Sequence, residues 1–231
     1  MAANTLKFNN PLNGWFWSLT GSVVLSKHDK MAKATQDGML HATEMIDRKH
    51  KVLSWLVRTR LTKTLGFWKT FVGLTAQYME NHQKVLMSDE VVPYHTKTVT
   101  ITGNYALQPN RYLSIEGSER FGYTTLSSPV MTHSHASSLV NKCDVNVFPS
   151  DIWKIKWSNA WYTNYRPKQS SIYFMNFSVV YTPKTFDLEL QVNNVLDKQL
   201  YQQNTLTAMT EHIVCQSFRP REILLKATWY Y

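Results

Sequence analysis

Nowhere do 18 or more apolar residues run together, so no segment is long and apolar enough for a transmembrane helix. That excludes helical membrane proteins only: a transmembrane strand needs about 9–11 residues and one apolar face. Cysteine is scarce. Cys143 and Cys215 permit at most one disulfide, and neither stands in a CxxC or Cys/His metal spacing, so they are read as two unpaired small residues. Despite a net charge of +9, five basic residues never follow one another and no nucleic-acid module is recognisable; nucleic acid is not an expected partner. The first residues, MAANTLKFNNPLNG, lack a basic stretch followed by an apolar one, so no signal peptide is expected. No catalytic constellation emerges, so the chain is not expected to be an enzyme, and no cofactor is implied.

Aromatics are plentiful, with eight Trp, twelve Tyr and ten Phe in 231 residues. Tyr and Trp combine an apolar body with a polar tip, which suits a large core or a membrane–water boundary. Mean hydropathy is slightly negative and would by itself suit a soluble protein.

Period-two alternation dominates, in segments of about ten residues. In 186–193, Phe186, Leu188, Leu190 and Val192 alternate with Asp187, Glu189, Gln191 and Asn193. In 222–231, Ile223, Leu225, Ala227, Trp229 and Tyr231 share a face opposite Glu222, Lys226 and Thr228. A helix would mix these groups around its circumference, so a strand is predicted. The pattern recurs at 171–182, 152–163, 96–107 and 51–62, and more weakly at 15–26, 68–79, 112–123 and 137–148, giving ten predicted strands.

Turn residues fall at 64–67, 108–111, 148–151 and 182–185, whereas polar stretches at 27–50, 83–92, 125–136, 165–170 and 196–211 suggest longer connections. Short turns alternating with long loops are the up-and-down pattern of an outer-membrane barrel, and ten strands return the C-terminus to the short-turn side. A soluble sandwich also alternates. The strand length, the loop asymmetry and the aromatic ending favour a transmembrane antiparallel β-barrel, because in hydrocarbon only a closed sheet pairs all its backbone groups.

The segments LELQVNNVLDKQLY (188–201) and SFRPREILLKATWYY (217–231) resemble the end of TonB-dependent outer-membrane receptors of the Bacteroidetes type, including SusC-like relatives. Asn194, Val195, Leu196, Asp197, Lys198 and Tyr201 match one family segment; Arg219, Pro220, Arg221 and Ile223 match the final-strand one. The resemblance implies a 22-strand barrel for nutrient uptake, with an N-terminal plug through which TonB acts. Residues 1–231 are therefore expected to be the C-terminal part of such a barrel, without plug or signal peptide. Expected partners are outer-membrane lipid, a chain or segment supplying the remaining strands and plug, TonB through that plug, and a surface lipoprotein. Closure as a self-contained ten-strand porin or enzyme, and a soluble β-rich binding protein, are the alternatives.

Arg58, Arg60, Lys154 and Lys156 are candidate lumen-facing cations, with Asp187, Glu189 and Asp144 as inward acids that could pair with them. Trp153, Trp157, Trp161, Trp229 and Tyr231 read as lipid-facing and girdle residues. The resemblance marks Trp229 and Tyr231 as an assembly signal. Asn193 and Asn194 are expected to end their strand at the outer rim. His133 and His135, and the set His28, His41 and His50 with Asp29, Asp37, Glu44 and Asp47, read as solvated loop residues rather than metal ligands. Ligand-binding residues are not legible.

Overall fold

A computed structural model describes residues 2–37, 40–87, 90–129, 134–166, 170–206 and 211–230. These residues form no α-helix and fifteen strands. Eleven make one antiparallel up-and-down wall: β1 (Ala2–Asn10), β2 (Trp15–His28), β5 (His50–Leu65), β6 (Thr70–Met87), β7 (Glu90–Asn110), β8 (Leu113–Ser127), β9 (Ser134–Ser150), β10 (Trp153–Arg166), β11 (Ser170–Tyr181), β12 (Phe186–Asn193) and β15 (Glu222–Trp229). Two hairpins lie off this path. β3 (Met31–Asp37) pairs with β4 (Leu40–Ile46) and touches β6 in a short parallel contact, while β13 (Leu200–Leu206) pairs with β14 (Glu211–Ser217).

All ten predicted strands are present, but the predicted count is too low for the wall. The strand that periodicity missed is β1, because AANTLKFNN offers only Leu6 and Phe8 as strong apolar alternates. The long connections also hold more structure than expected. Residues 27–50 and 196–211 include most of the two hairpins, and in 83–92 the β6–β7 ladder continues from Gln83↔Tyr94 to Met87↔Glu90. Alternation fails there for a physical reason: Val85, Leu86 and Val92 are each buried, so both strand faces are apolar.

The loop asymmetry holds only in part, because on the rim expected to carry long loops β6 ends two residues before β7 and β10 ends three residues before β11. Short turns join β1–β2, β5–β6, β7–β8, β9–β10 and β11–β12 at one rim; the β3–β4 and β13–β14 hairpins stand at the other. At the β5–β6 turn, Trp68 and Lys69 take left-handed backbone angles (φ 52 and 43). The sheet is open. The alternative that the chain closes by itself is not what the structure shows, because β1 and β15 are not paired with one another. With eleven alternating strands these two edges run in the same direction, so self-closure would need a parallel seam in an otherwise antiparallel wall. Each edge leaves a row of backbone groups unpaired.

The buried apolar residues are Met31, Val85, Leu86, Val92, Leu126 and Ile172. All lie toward the long-connection rim, where β3 meets β6. No second layer covers the middle of the wall among the described residues.

The β1–β2 turn tests this geometry. Gly14 has φ +64 and donates its N–H to Pro11 O, while Thr64 N–H donates to Gly14 O at 2.9 Å. A Cβ there would sit 2.5 Å from Thr64 O. Gly14→Ala is expected to lower stability by about 2 kcal/mol, through backbone strain and the clash, read as a drop in the urea midpoint in detergent. Gly66→Ala, whose Cβ meets open space, is expected to change it little.

Candidate functional site

Cross-strand partners share a face, so the register assigns every wall residue to one of two sides. On one side Leu6, Leu19, Thr59, Ala76, Ile101, Phe121 and Leu139 are successive partners, as are Val145, Trp157, Phe177, Val192 and Ile223. On the other side Thr5, Thr20, Arg58, Gln77, Thr100, Gly122 and Ser138 succeed one another. The wall thus has one apolar and one polar face along its whole width.

The apolar face is exposed. Leu74 is 49% exposed, Trp157 47% and Leu225 71%, whereas a soluble sheet would hide such a face. Its apolar stretches cover 99–107 on β7, 113–123 on β8 and 153–161 on β10, close to the roughly 9–11 residues of a membrane-crossing strand. Aromatics mark both limits. Toward the short turns, Trp153, Tyr181, Phe186 and Trp229 form a continuous row with centroids 4.6, 6.0 and 6.3 Å apart. Toward the other rim, Trp55 and Tyr78 stack edge-on at 5.3 Å, and Trp161 Nε1 donates to Ser171 Oγ at 2.6 Å. The few polar groups on this face bond to one another: Asn141 Nδ2 donates to Glu119 Oε1 at 2.7 Å, and the Tyr173 hydroxyl to Asn159 Oδ1.

The six charged candidates all fall on the polar face. Arg58 donates twice to Gln77 Oε1, at 2.9 and 2.6 Å, and Arg60 lies opposite Ser18 and Thr75. Lys156 forms an ion pair with Asp144 at 2.9 Å, while Lys154 stands 5.9 Å from the Phe148 ring centre. Glu189 faces Lys226 across the β12–β15 ladder, and Asp187 Oδ2 accepts the Tyr230 hydroxyl while its Oδ1 is buried without a partner. A hollow of about 540 Å³ on this side is lined by Asn104, Glu116, Lys142, Asp144, Ser158 and Asn176. It holds both charge signs.

The motif residues form a structural clasp rather than a ligand site. Asn194 is buried, with φ 51, and follows β12 at the long-connection rim. Its Nδ2 donates to Lys198 O at 2.9 Å and Arg219 O at 3.0 Å; its Oδ1 accepts Lys198 N–H at 2.9 Å; its own N–H donates to Asn176 Oδ1 at 2.8 Å. One side chain thereby ties the end of β12 to the start of β15. Asp197 (φ 53) accepts the Arg221 N–H on Oδ1 at 2.9 Å. That bond first, and the Gln199 amide second, hold its carboxyl below the usual value. Tyr201 lies between the Tyr162 and Phe218 rings, at 5.7 and 6.3 Å. Arg219 meets Glu222 at 3.6 Å on the surface, and Pro220 continues the connection into β15. Trp229 is 63% exposed on the edge strand, and Tyr231 lies outside the described residues.

Of the histidines considered from sequence, the His28 and His50 rings stack at 5.2 Å, and His50 Nδ1 is buried without a partner. His133 and the side chains of Asp37 and His41 lie outside the described residues. Periodicity did not single out Glu80, His82 and His95, which adjoin across the β6–β7 ladder at the upper edge of the apolar face. The Tyr78 hydroxyl donates to Glu80 Oε2 at 2.7 Å. The signal that could have found them is two histidines at mirrored distances from a hairpin tip.

The clasp makes two expectations. Asn194→Ala is expected to cost about 2–4 kcal/mol, combining lost hydrogen bonds with a left-handed backbone that alanine resists; Asn194→Gly should recover only the backbone part. For Asp197 the folded carboxyl titrates below its unfolded value, so its contribution is complete above the ordinary carboxylate range and disappears as pH falls through the lowered value. The stability gap between the unaltered chain and Asp197→Asn, measured by urea titration at stepped pH, should therefore close on acidification. No protein-family model matches the chain, and no curated protein matches it.

Proposed function

We propose that the chain is part of the wall of an outer-membrane transporter barrel of the TonB-dependent kind, its apolar face in lipid and its polar face toward the lumen. One observation carries this reading: an apolar face continuous across eleven strands, exposed, and bounded by aromatic rows. In water such a face would need a covering layer; in hydrocarbon it needs none. Eleven wall strands are half of the 22 that the resembled receptors have, and the two unpaired edges call for a partner segment that supplies the rest. The N- and C-terminal edges run parallel, so an odd number of added strands completes an antiparallel ring.

In this role the wall is passive. It lines the passage, and its long-connection rim offers the surfaces that meet solute or a surface lipoprotein. The pairing of Lys156 with Asp144 and of Arg58 with Gln77 leaves the polar face mixed in charge rather than uniformly positive. The hollow beside Lys142 and Glu116 is the place on that face where a polar solute would lodge. The plug and its coupling to TonB belong to the segment that completes the barrel.

Two experiments test the reading. Expressed with its upstream reading frame, the chain should sediment with outer membranes, resist carbonate extraction and enter the detergent phase; recovery in the aqueous phase would support a soluble binding protein instead. Phe177 and Ser178 are neighbours on opposite faces. Phe177→Arg is expected to lower stability in bilayers by about 2–4 kcal/mol, as a charge facing mid-membrane does, whereas Ser178→Arg should cost under about 1 kcal/mol. Equal effects would remove the distinction between lipid and lumen faces.

A further inference from the structure

We propose that Glu80, His82 and His95 form a binding site for a divalent transition-metal ion of the zinc class, on the outer side of the β6–β7 hairpin at the Trp55–Tyr78 end of the apolar face. The site rests on the β6–β7 register alone and does not depend on the transporter reading.

The ladder builds the site. His82 and His95 are directly opposed partners, and Glu80 lies two residues before His82, so all three project from the same face. Their ligand atoms lie within 4.8 Å of one another. A tetrahedral zinc ion, with bonds of about 2.0–2.1 Å, holds its ligands roughly 3.3 Å apart, a separation that side-chain rotation reaches from here. His82 Nε2 lies 3.1 Å from Glu80 Oε1, and the Nδ1 atoms of His82 and His95 lie 2.5 Å apart. At that distance one ring donates an N–H to the other, and a bound ion would take the place of this hydrogen bond as the rings turn apart.

The surroundings favour a bound ion over a solvated cluster. Glu80 is only 8% exposed, and the Tyr78 hydroxyl occupies its other oxygen, which fixes the carboxylate and leaves Oε1 turned toward His82. The two histidines are half-buried, so a fourth position stays open to water, as in three-ligand zinc sites. Lys97 is the cross-strand partner of Glu80 and offsets its charge. A hard cation that relies on carboxylate charge and an oxygen shell gains little here. The two imidazoles select Zn²⁺, Ni²⁺ or Cu²⁺ over Ca²⁺ or Mg²⁺. The ion would staple the β6–β7 hairpin, whose far end makes the short parallel pairing with β3.

The test uses the full chain, without a histidine tag, in detergent micelles, titrated calorimetrically with ZnCl₂. One equivalent of Zn²⁺ should bind, and CaCl₂ should give no saturable signal. His82→Ala and His95→Ala should each weaken Zn²⁺ binding tenfold or more, and Glu80→Gln should weaken it as well. A His28→Ala/His50→Ala double variant should bind as the unaltered chain does. Should the substitutions disturb folding, Zn²⁺ should still protect His82 and His95 of the unaltered chain from diethyl pyrocarbonate, read by mass spectrometry. Absence of one-to-one Zn²⁺ binding, binding indifferent to both histidines, or binding that follows His28 and His50 would each overturn the proposal.

Discussion

The backbone ladder is the constraint on which the rest of the structure depends. Eleven strands pair antiparallel, and cross-strand partners share a face, as where Leu190 meets Leu225 and Glu189 meets Lys226. Because side chains alternate along a strand, a slip of one residue in any pairing would carry polar groups such as Arg58 or Glu189 to the apolar face. Wherever the alternation is strong it thus fixes register, and the shared register makes a two-sided wall from sequence that is slightly polar on average.

The distribution of burial turns that wall into an unusual object for water. The few buried apolar side chains gather near the rim, around Val85, Val92 and Leu126, while Trp157, Leu190 and Leu225 stand open on the broad face. Aromatic rows bound that face, and charged groups enter it from the level of Trp55 onward, as at Glu80, Lys97 and His82. The two edges β1 and β15 share a direction, so pairing them with one another would set a parallel seam in an antiparallel sheet.

Much of this was legible in the sequence. Phe186 to Asn193 and Glu222 to Trp229 announced their faces by alternation alone, and the structure pairs them as the pattern requires. What escaped had identifiable causes. β1 carries too few apolar residues to display a period, and the β6–β7 extension is apolar on both faces near Val85 and Leu86. The Asn194 and Asp197 motif was visible as spelling, but its work as a clasp depends on left-handed backbone angles and on bonds to Arg219 and Arg221 some 24 or 25 residues away. Glu80, His82 and His95 were invisible for the same reason: they adjoin only once the hairpin register is known.

The central claim is that one face of the wall meets lipid and the other water. It is tested most directly by placing nitroxide labels singly at 173–181 on β11, in a cysteine-free background, with the chain and its completing segment in bilayers. Collision rates with oxygen, which concentrates in hydrocarbon, should peak at Tyr173, Met175, Phe177 and Val179. Rates with a water-soluble relaxant should peak instead at Phe174, Asn176, Ser178 and Val180, giving two period-two profiles out of phase. In-phase profiles, or a face at 173–179 open to the water-soluble relaxant, would contradict the account.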